Sequence, residues 1–201
     1  MDYYVVLGIL STAIGIGSFF PYIFDTIRKS IRPHAYSWLI WGFLQVSVFI
    51  AQTEKGAGPG SWVIGASSLL CLSIFALSIR RSDAASAIDK ASLAAASAGI
   101  ILWLATSSPL LEVIIAAATD VVGFIPTFAH ANAKPWEDSV KVFALGALAL
   151  FLSILALRSI NPVTALYPAT VCVSNSAFVV FVILRRRTIS KKRRRAGAKA
   201  R

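Results

Sequence analysis

Apolar residues run through this chain in long blocks, separated by short polar or basic breaks. A helix needs roughly 20 apolar residues to cross about 30 Å of hydrocarbon. Seven runs approach that length, at about 5–25, 35–51, 61–79, 88–106, 109–129, 139–157 and 163–184. The breaks between them are too short for a soluble domain. The predicted fold is therefore an all-α membrane protein with seven transmembrane helices. Met1-Asp2 lacks the basic start of a cleaved signal, so the first run is read as a mature span.

Composition agrees. Of the 201 residues, 57% are hydrophobic and 14% charged, against about 25% charged in a typical globular chain. The net charge of +11 arises from 20 Lys and Arg against 9 Asp and Glu. Ten of the basic residues lie in 185–201, and without that tail the chain is nearly neutral. The charge thus describes a tail, not a nucleic-acid-binding surface. Lys and Arg gather on the cytoplasmic side of short membrane loops. The tail, the break holding Arg28, Lys29 and Arg32, the break holding Arg80, Arg81 and Lys90, and the break at Lys134 all fall on one side. The opposite breaks carry only Lys55 and Arg158. The expected orientation is N-out, C-in, in a bacterial inner (plasma) membrane.

The chain also repeats itself. In the first run Gly17 precedes Pro21, and in the fifth Gly123 precedes Pro126. A basic residue and a proline then open the next run in each case, Arg32-Pro33 and Lys134-Pro135, followed by Ser37 and Ser139. The third and seventh runs both end in paired arginines, Arg80-Arg81 and Arg185-Arg186. The offset is 105 residues at the first proline and again at the arginines. The predicted organisation is a three-helix repeat over 1–82, a linker helix over 83–107, a second three-helix repeat over 108–187 and a basic disordered tail over 188–201. With one crossing between them, the two triplets run in parallel, an arrangement used by transporters.

This three-one-three topology, with an intrahelical proline followed by a basic loop, resembles the SWEET sugar transporters and the wider PQ-loop superfamily. That group includes sugar, amino-acid and vitamin transporters and the KDEL-type cargo receptor. The resemblance spans nearly the whole chain and suggests a bacterial member. Its Pro-Gln hallmark is here Pro21-Tyr22 and Pro126-Thr127. The resemblance implies that Pro21 and Pro126, beside Gly17 and Gly123, are hinges between inward- and outward-open states. A static kink is the alternative, since an intrahelical proline removes one backbone hydrogen bond in either case.

Asp120 stands near the middle of the fifth run. An ionised carboxylate at that depth costs about 2.5–3.5 kcal/mol on insertion scales, so it must be protonated, paired or facing a wet cavity. It is read as a proton- or substrate-binding acid, with an interhelical hydrogen bond as the alternative. Thr127 shares its face, and the offset matches Asp120 to Gly15, so the halves differ here. Asn175 of the seventh run is a second candidate. The resemblance implies that an Asn on the third helix of a repeat binds substrate; interhelical hydrogen bonding is the alternative. Gln45 is a further candidate, with packing as its alternative. Asp25 and His130 align at the inner ends of the proline helices and could form a cytoplasmic gate with nearby basic residues. Trp62 and Tyr167 are expected at the outer interface and Trp38, Trp41 and Trp136 at the inner one, as belt anchors. Glu112 is expected to reach headgroups or water at the outer end.

Cys71 and Cys172 lie in apolar runs and read as small buried residues. No metal cluster, phosphate loop or nucleophile–base pair stands out, so neither an enzyme nor a cofactor is expected. The tail is expected to meet anionic lipid. Ser92, Ala95, Ala96 and Gly99 form a small-residue face suited to close helix contact, including contact with a second copy. The function expected is alternating-access transport of a small polar metabolite, with Asp120 as the candidate for proton coupling, against a receptor or packing subunit of the same fold.

Overall fold

The computed structural model describes residues 2–29, 35–81, 108–133, 135, 136 and 140–199, with nine isolated positions between 87 and 106. The side chains at 37, 81, 125, 126, 129, 130 and 191–199 lie outside that description. So do the linker-helix face at Ser92, Ala95, Ala96 and Gly99, the Arg32-Pro33 and Lys134 positions, and Ser139.

No strand occurs among the described residues. They form six long helices: α1 (Tyr3–Ile27), α2 (Ala35–Glu54), α3 (Trp62–Ser78), α4 (Pro109–Ala133), α5 (Val140–Leu155) and α6 (Pro162–Lys199). These occupy the first, second, third, fifth, sixth and seventh apolar runs. Among the described residues three segments are long and apolar enough to cross a membrane, Tyr3–Ile27, Gly58–Ser78 and Pro162–Ser190, and Val140–Leu155 is a shorter apolar helix. Phe20, Leu69, Val122, Val173 and Leu184 stand exposed on the outside of the bundle, as expected where lipid replaces water.

The helix starts have local causes. Asp2 caps α1, its carboxylate accepting from the Tyr4 N–H at 3.1 Å. At α6, the Asn161 side-chain oxygen accepts from the N–H groups of Val163 and Thr164. Both satisfy donors that a helix leaves open in its first turn. Pro109 and Pro162 occupy first-turn positions, where a missing N–H costs nothing. Within the spans, hydroxyls such as Thr12 and Ser73 donate back to the carbonyl four residues earlier, so they need no outside partner.

α3 packs against both α1 and α2, and α6 against both α4 and α5. Between these trios, α1 packs on α5 and α2 on α4. The Ser11 hydroxyl ties α1 to α5 by donating to the Ala149 carbonyl at 2.6 Å. The main core joins Leu44 and Val48 of α2, Ile64 of α3, Val113 and Ala116 of α4, Ala149 of α5 and Tyr167 of α6.

The tail corrects the sequence reading. Residues 188–199 continue α6 instead of being disordered. Lys, Arg and Ala are strong helix formers, and here they extend a helix already nucleated by its span.

Candidate functional site

Among the described residues, three buried polar side chains have an atom without a hydrogen-bond partner: Gln52 Oε1, Glu112 Oε2 and Asp120 Oδ2. Two of these are acids on α4.

Asp120 is 7% exposed. Cys71 of α3 and Tyr167 of α6 lie within its electrostatic reach. Gln45 of α2 donates to the Cys71 sulfur at 3.7 Å. Four helices therefore bring Gln45, Cys71, Asp120 and Tyr167 to one region. Among the described residues no Lys or Arg is paired with Asp120; Arg158, following α5, pairs instead with Asp2 at the start of α1. An acid so placed can hold a proton, or receive a donor group from a small molecule.

Asn175 is also buried on α6. Its amide nitrogen lies against Gly146 of α5, where an added Cβ would come within 3.1 Å of it. Thr127 is half-buried further along α4. Its position four residues past Gly123 leads toward an aromatic group built by α1 and α2. There Trp38 meets Phe19 at 6.0 Å, Tyr22 at 4.8 Å and Trp41 at 5.3 Å between ring centres. The Trp41 indole nitrogen would be 4.0 Å from a Cβ on Gly123. A second aromatic group joins Phe124 and Phe128 of α4, Phe143 of α5, and Phe178 and Phe181 of α6.

Pro21 lies inside α1 as expected, and a Cβ on Gly17 would meet nothing within 4 Å. Pro126 lies within the bounds of α4, with its side chain outside the described set. Asp25 is described at the end of α1, but the His130 side chain is not, so the expected gate between them falls outside the described residues.

Several expectations need correction. Glu112 does not reach headgroups or water: it is fully buried, and its Oε1 shares a hydrogen bond with the Ser47 hydroxyl of α2. Tyr167 is no belt anchor, being 3% exposed in the main core, whereas its expected counterpart Trp62 is exposed. Trp38 and Trp41 are half-buried in the aromatic group described above. Trp136 is exposed. In each corrected case a helix neighbour covers a surface that position along the span could not reveal.

The sequence reading missed Gln52 and Pro168. Pro168 lies inside α6 and has no N–H to give the Thr164 carbonyl. Gln52 of α2 supplies that missing donor, its amide reaching the Thr164 oxygen at 2.7 Å. A proline inside an apolar run was the available signal.

No group of three or more His, Cys, Asp or Glu that could hold a metal occurs among the described residues. No family model, no curated protein and no solved structure matches the chain.

Proposed function

We propose that the protein is an alternating-access membrane transporter of a small polar metabolite, a sugar, amino acid or vitamin-like molecule. In this reading it is a SWEET- or PQ-loop-like protein with seven spans, parallel three-helix repeats around a linker helix, and N-out, C-in orientation. The observation that carries the reading is Asp120, buried and unpartnered at a point that four helices reach. The repeat is supported by the helix pairing. Each trio has its last helix packed against the other two, and the trios meet through equivalent pairs, α1 with α5 and α2 with α4. Phe19 with Trp38 and Phe124 with Phe143 fit the same 105-residue offset. Their ring centres lie 6.0 Å and 6.2 Å apart, edge to face in both.

In mechanism, the metabolite binds between the trios near Asp120, with Asn175 and Gln45 offering amide groups. Pro21 and Pro126 absorb the bending that opens one face and closes the other. Only a difference in affinity between the two states can drive that exchange. The basic extension of α6 rests on anionic lipid in the cytoplasmic leaflet.

The test is uptake of labelled metabolites into proteoliposomes, with and without a pH gradient. Transport delivers more than one molecule per protein. Binding that saturates at one molecule, with no accumulation inside, sinks the transporter reading in favour of a receptor of the same fold. Where uptake follows the pH gradient, Asp120→Asn should abolish that dependence; an unchanged profile removes Asp120 from coupling.

A further inference from the structure

We infer that Glu112 is a second proton-binding site, separate from Asp120, in which the neutral carboxyl donates its hydrogen to Ser47 across the contact between α2 and α4.

The Ser47 oxygen lies 2.9 Å from the Leu44 carbonyl of its own helix and is also bonded to Glu112 Oε1. Made as two separate hydrogen bonds and not as one shared hydrogen, these contacts among three oxygens need two hydrogens. A serine hydroxyl has one, a backbone carbonyl has none and a carboxylate has none. The missing hydrogen belongs on Glu112, the one group of the three that can gain it. Ser47 then donates to Leu44 and accepts from the acid.

The surroundings point the same way. Glu112 is fully buried, and its second oxygen has no partner. An ionised carboxylate needs several donors or a cation when taken out of water, whereas a neutral acid loses far less. Its neighbours supply no such charge. On α2 the titratable groups are Tyr36 and Glu54; on α6 they are Tyr167, Cys172 and the basic residues from Arg185 onward; on α4 itself there are Asp120 and, about five turns beyond Glu112, His130. Among the described residues none of these acts on Glu112, and the side-chain group that does is the uncharged Ser47 hydroxyl.

The proton balance is simple. On deprotonation Glu112 releases its proton to solvent and becomes a carboxylate. The Ser47 hydrogen turns from Leu44 to Glu112 Oε1, while the Leu44 carbonyl keeps its helical N–H donor. That step leaves an uncompensated charge in the contact between the two trios, so proton loss favours the state in which α2 and α4 separate. The inference does not depend on the protein being a transporter.

The experiment is infrared spectroscopy of the full chain in lipid nanodiscs at neutral pH, with and without isotope-labelled glutamate. The expected result is a protonated-carboxyl band that moves on glutamate labelling, disappears in Glu112→Gln and persists in Asp120→Asn. Ser47→Ala retains the acid but removes its acceptor, and should move the band to the position of a carboxyl donating no hydrogen bond. Should Glu112→Gln fail to fold, the Ser47→Ala shift decides. No glutamate-derived protonated band, or one that Ser47→Ala leaves in place, overturns the inference. A melting temperature raised by sodium in the wild type and not in Glu112→Gln would then identify a cation, not a proton, at this acid.

Discussion

Gln52 does for α6 what a backbone N–H would otherwise do. It is fully buried, and its amide reaches the Thr164 carbonyl that Pro168 cannot serve. Removing one partner of such a bond leaves the other orphaned, at a cost of about 1–3 kcal/mol. Gln52→Ala should therefore lower the melting temperature in detergent. The same change in a Pro168→Ala background should cost less, because alanine returns the missing N–H. A double-mutant cycle isolates that coupling, expected at about 1 kcal/mol; strictly additive effects would show that Gln52 does not serve the proline. Asp120 and Asn175 were visible in the sequence because polar groups in apolar runs stand out. Whether such a group meets a partner was not visible. Glu112 and Asp120 are both acids of one helix, yet only Glu112 bonds Ser47, and only the neighbouring helix decides that.

At the level of elements, the two intrahelical prolines with described side chains, Pro21 and Pro168, differ in kind. At Pro168 the carbonyl left without its helical donor is held by Gln52, which favours a fixed structural role. Around Gly17 and Pro21 there is room, with nothing within 4 Å of a Cβ on Gly17. Alanine is favoured over glycine inside a helix by about 1 kcal/mol, so Gly17→Ala should leave stability unchanged or slightly raised. In the proposed transporter it should also slow uptake by stiffening the hinge. Full uptake in a stable Gly17→Ala protein would assign the bending elsewhere. Gly60 is the opposite case. A Cβ there would lie 2.8 Å from the Ser153 carbonyl and 2.9 Å from Leu157 Cα, both backbone atoms that cannot step aside. Gly60→Ala should therefore destabilise by about 1–3 kcal/mol, read as a fall in melting temperature. The apolar runs located the described helices closely because lipid-length blocks leave little freedom. Their far ends were less legible. A basic segment after α6 can be helix or coil by composition, and a preceding span to extend from made it helix.

For the whole molecule, the connections sort into two ends. Asp2 pairs with Arg158, and the Asn161 amide reaches the Lys55 carbonyl at 3.4 Å. The start of α1, the α2–α3 connection and the α5–α6 connection therefore share one end. That end is shut. The Arg158 N–H donates to the Ala57 carbonyl at 3.1 Å, and the buried Ser153 hydroxyl donates to the Gly60 carbonyl at 2.7 Å. At the other end Arg185 and Arg186 donate to the carbonyls of Asn132, in the last turn of α4, and Pro135, just beyond it. Arg28, Lys29 and Arg80 follow α1 and α3, as the alternation of crossings requires. Basic residues mark the cytoplasmic side, so the end holding Asp2 and Arg158 should face outward. A cysteine label tests this directly. Cys71 is buried and Cys172 partly so, and replacing both with alanine gives a background free of reactive thiols. Lys55→Cys in that background should react with a membrane-impermeant maleimide in intact cells. Arg80→Cys should react only after permeabilisation. The reverse pattern would invert the orientation and move the basic extension of α6 away from the anionic cytoplasmic leaflet. Equal labelling of both sites from outside would mean that α3 does not cross, and the parallel repeat would fail with it.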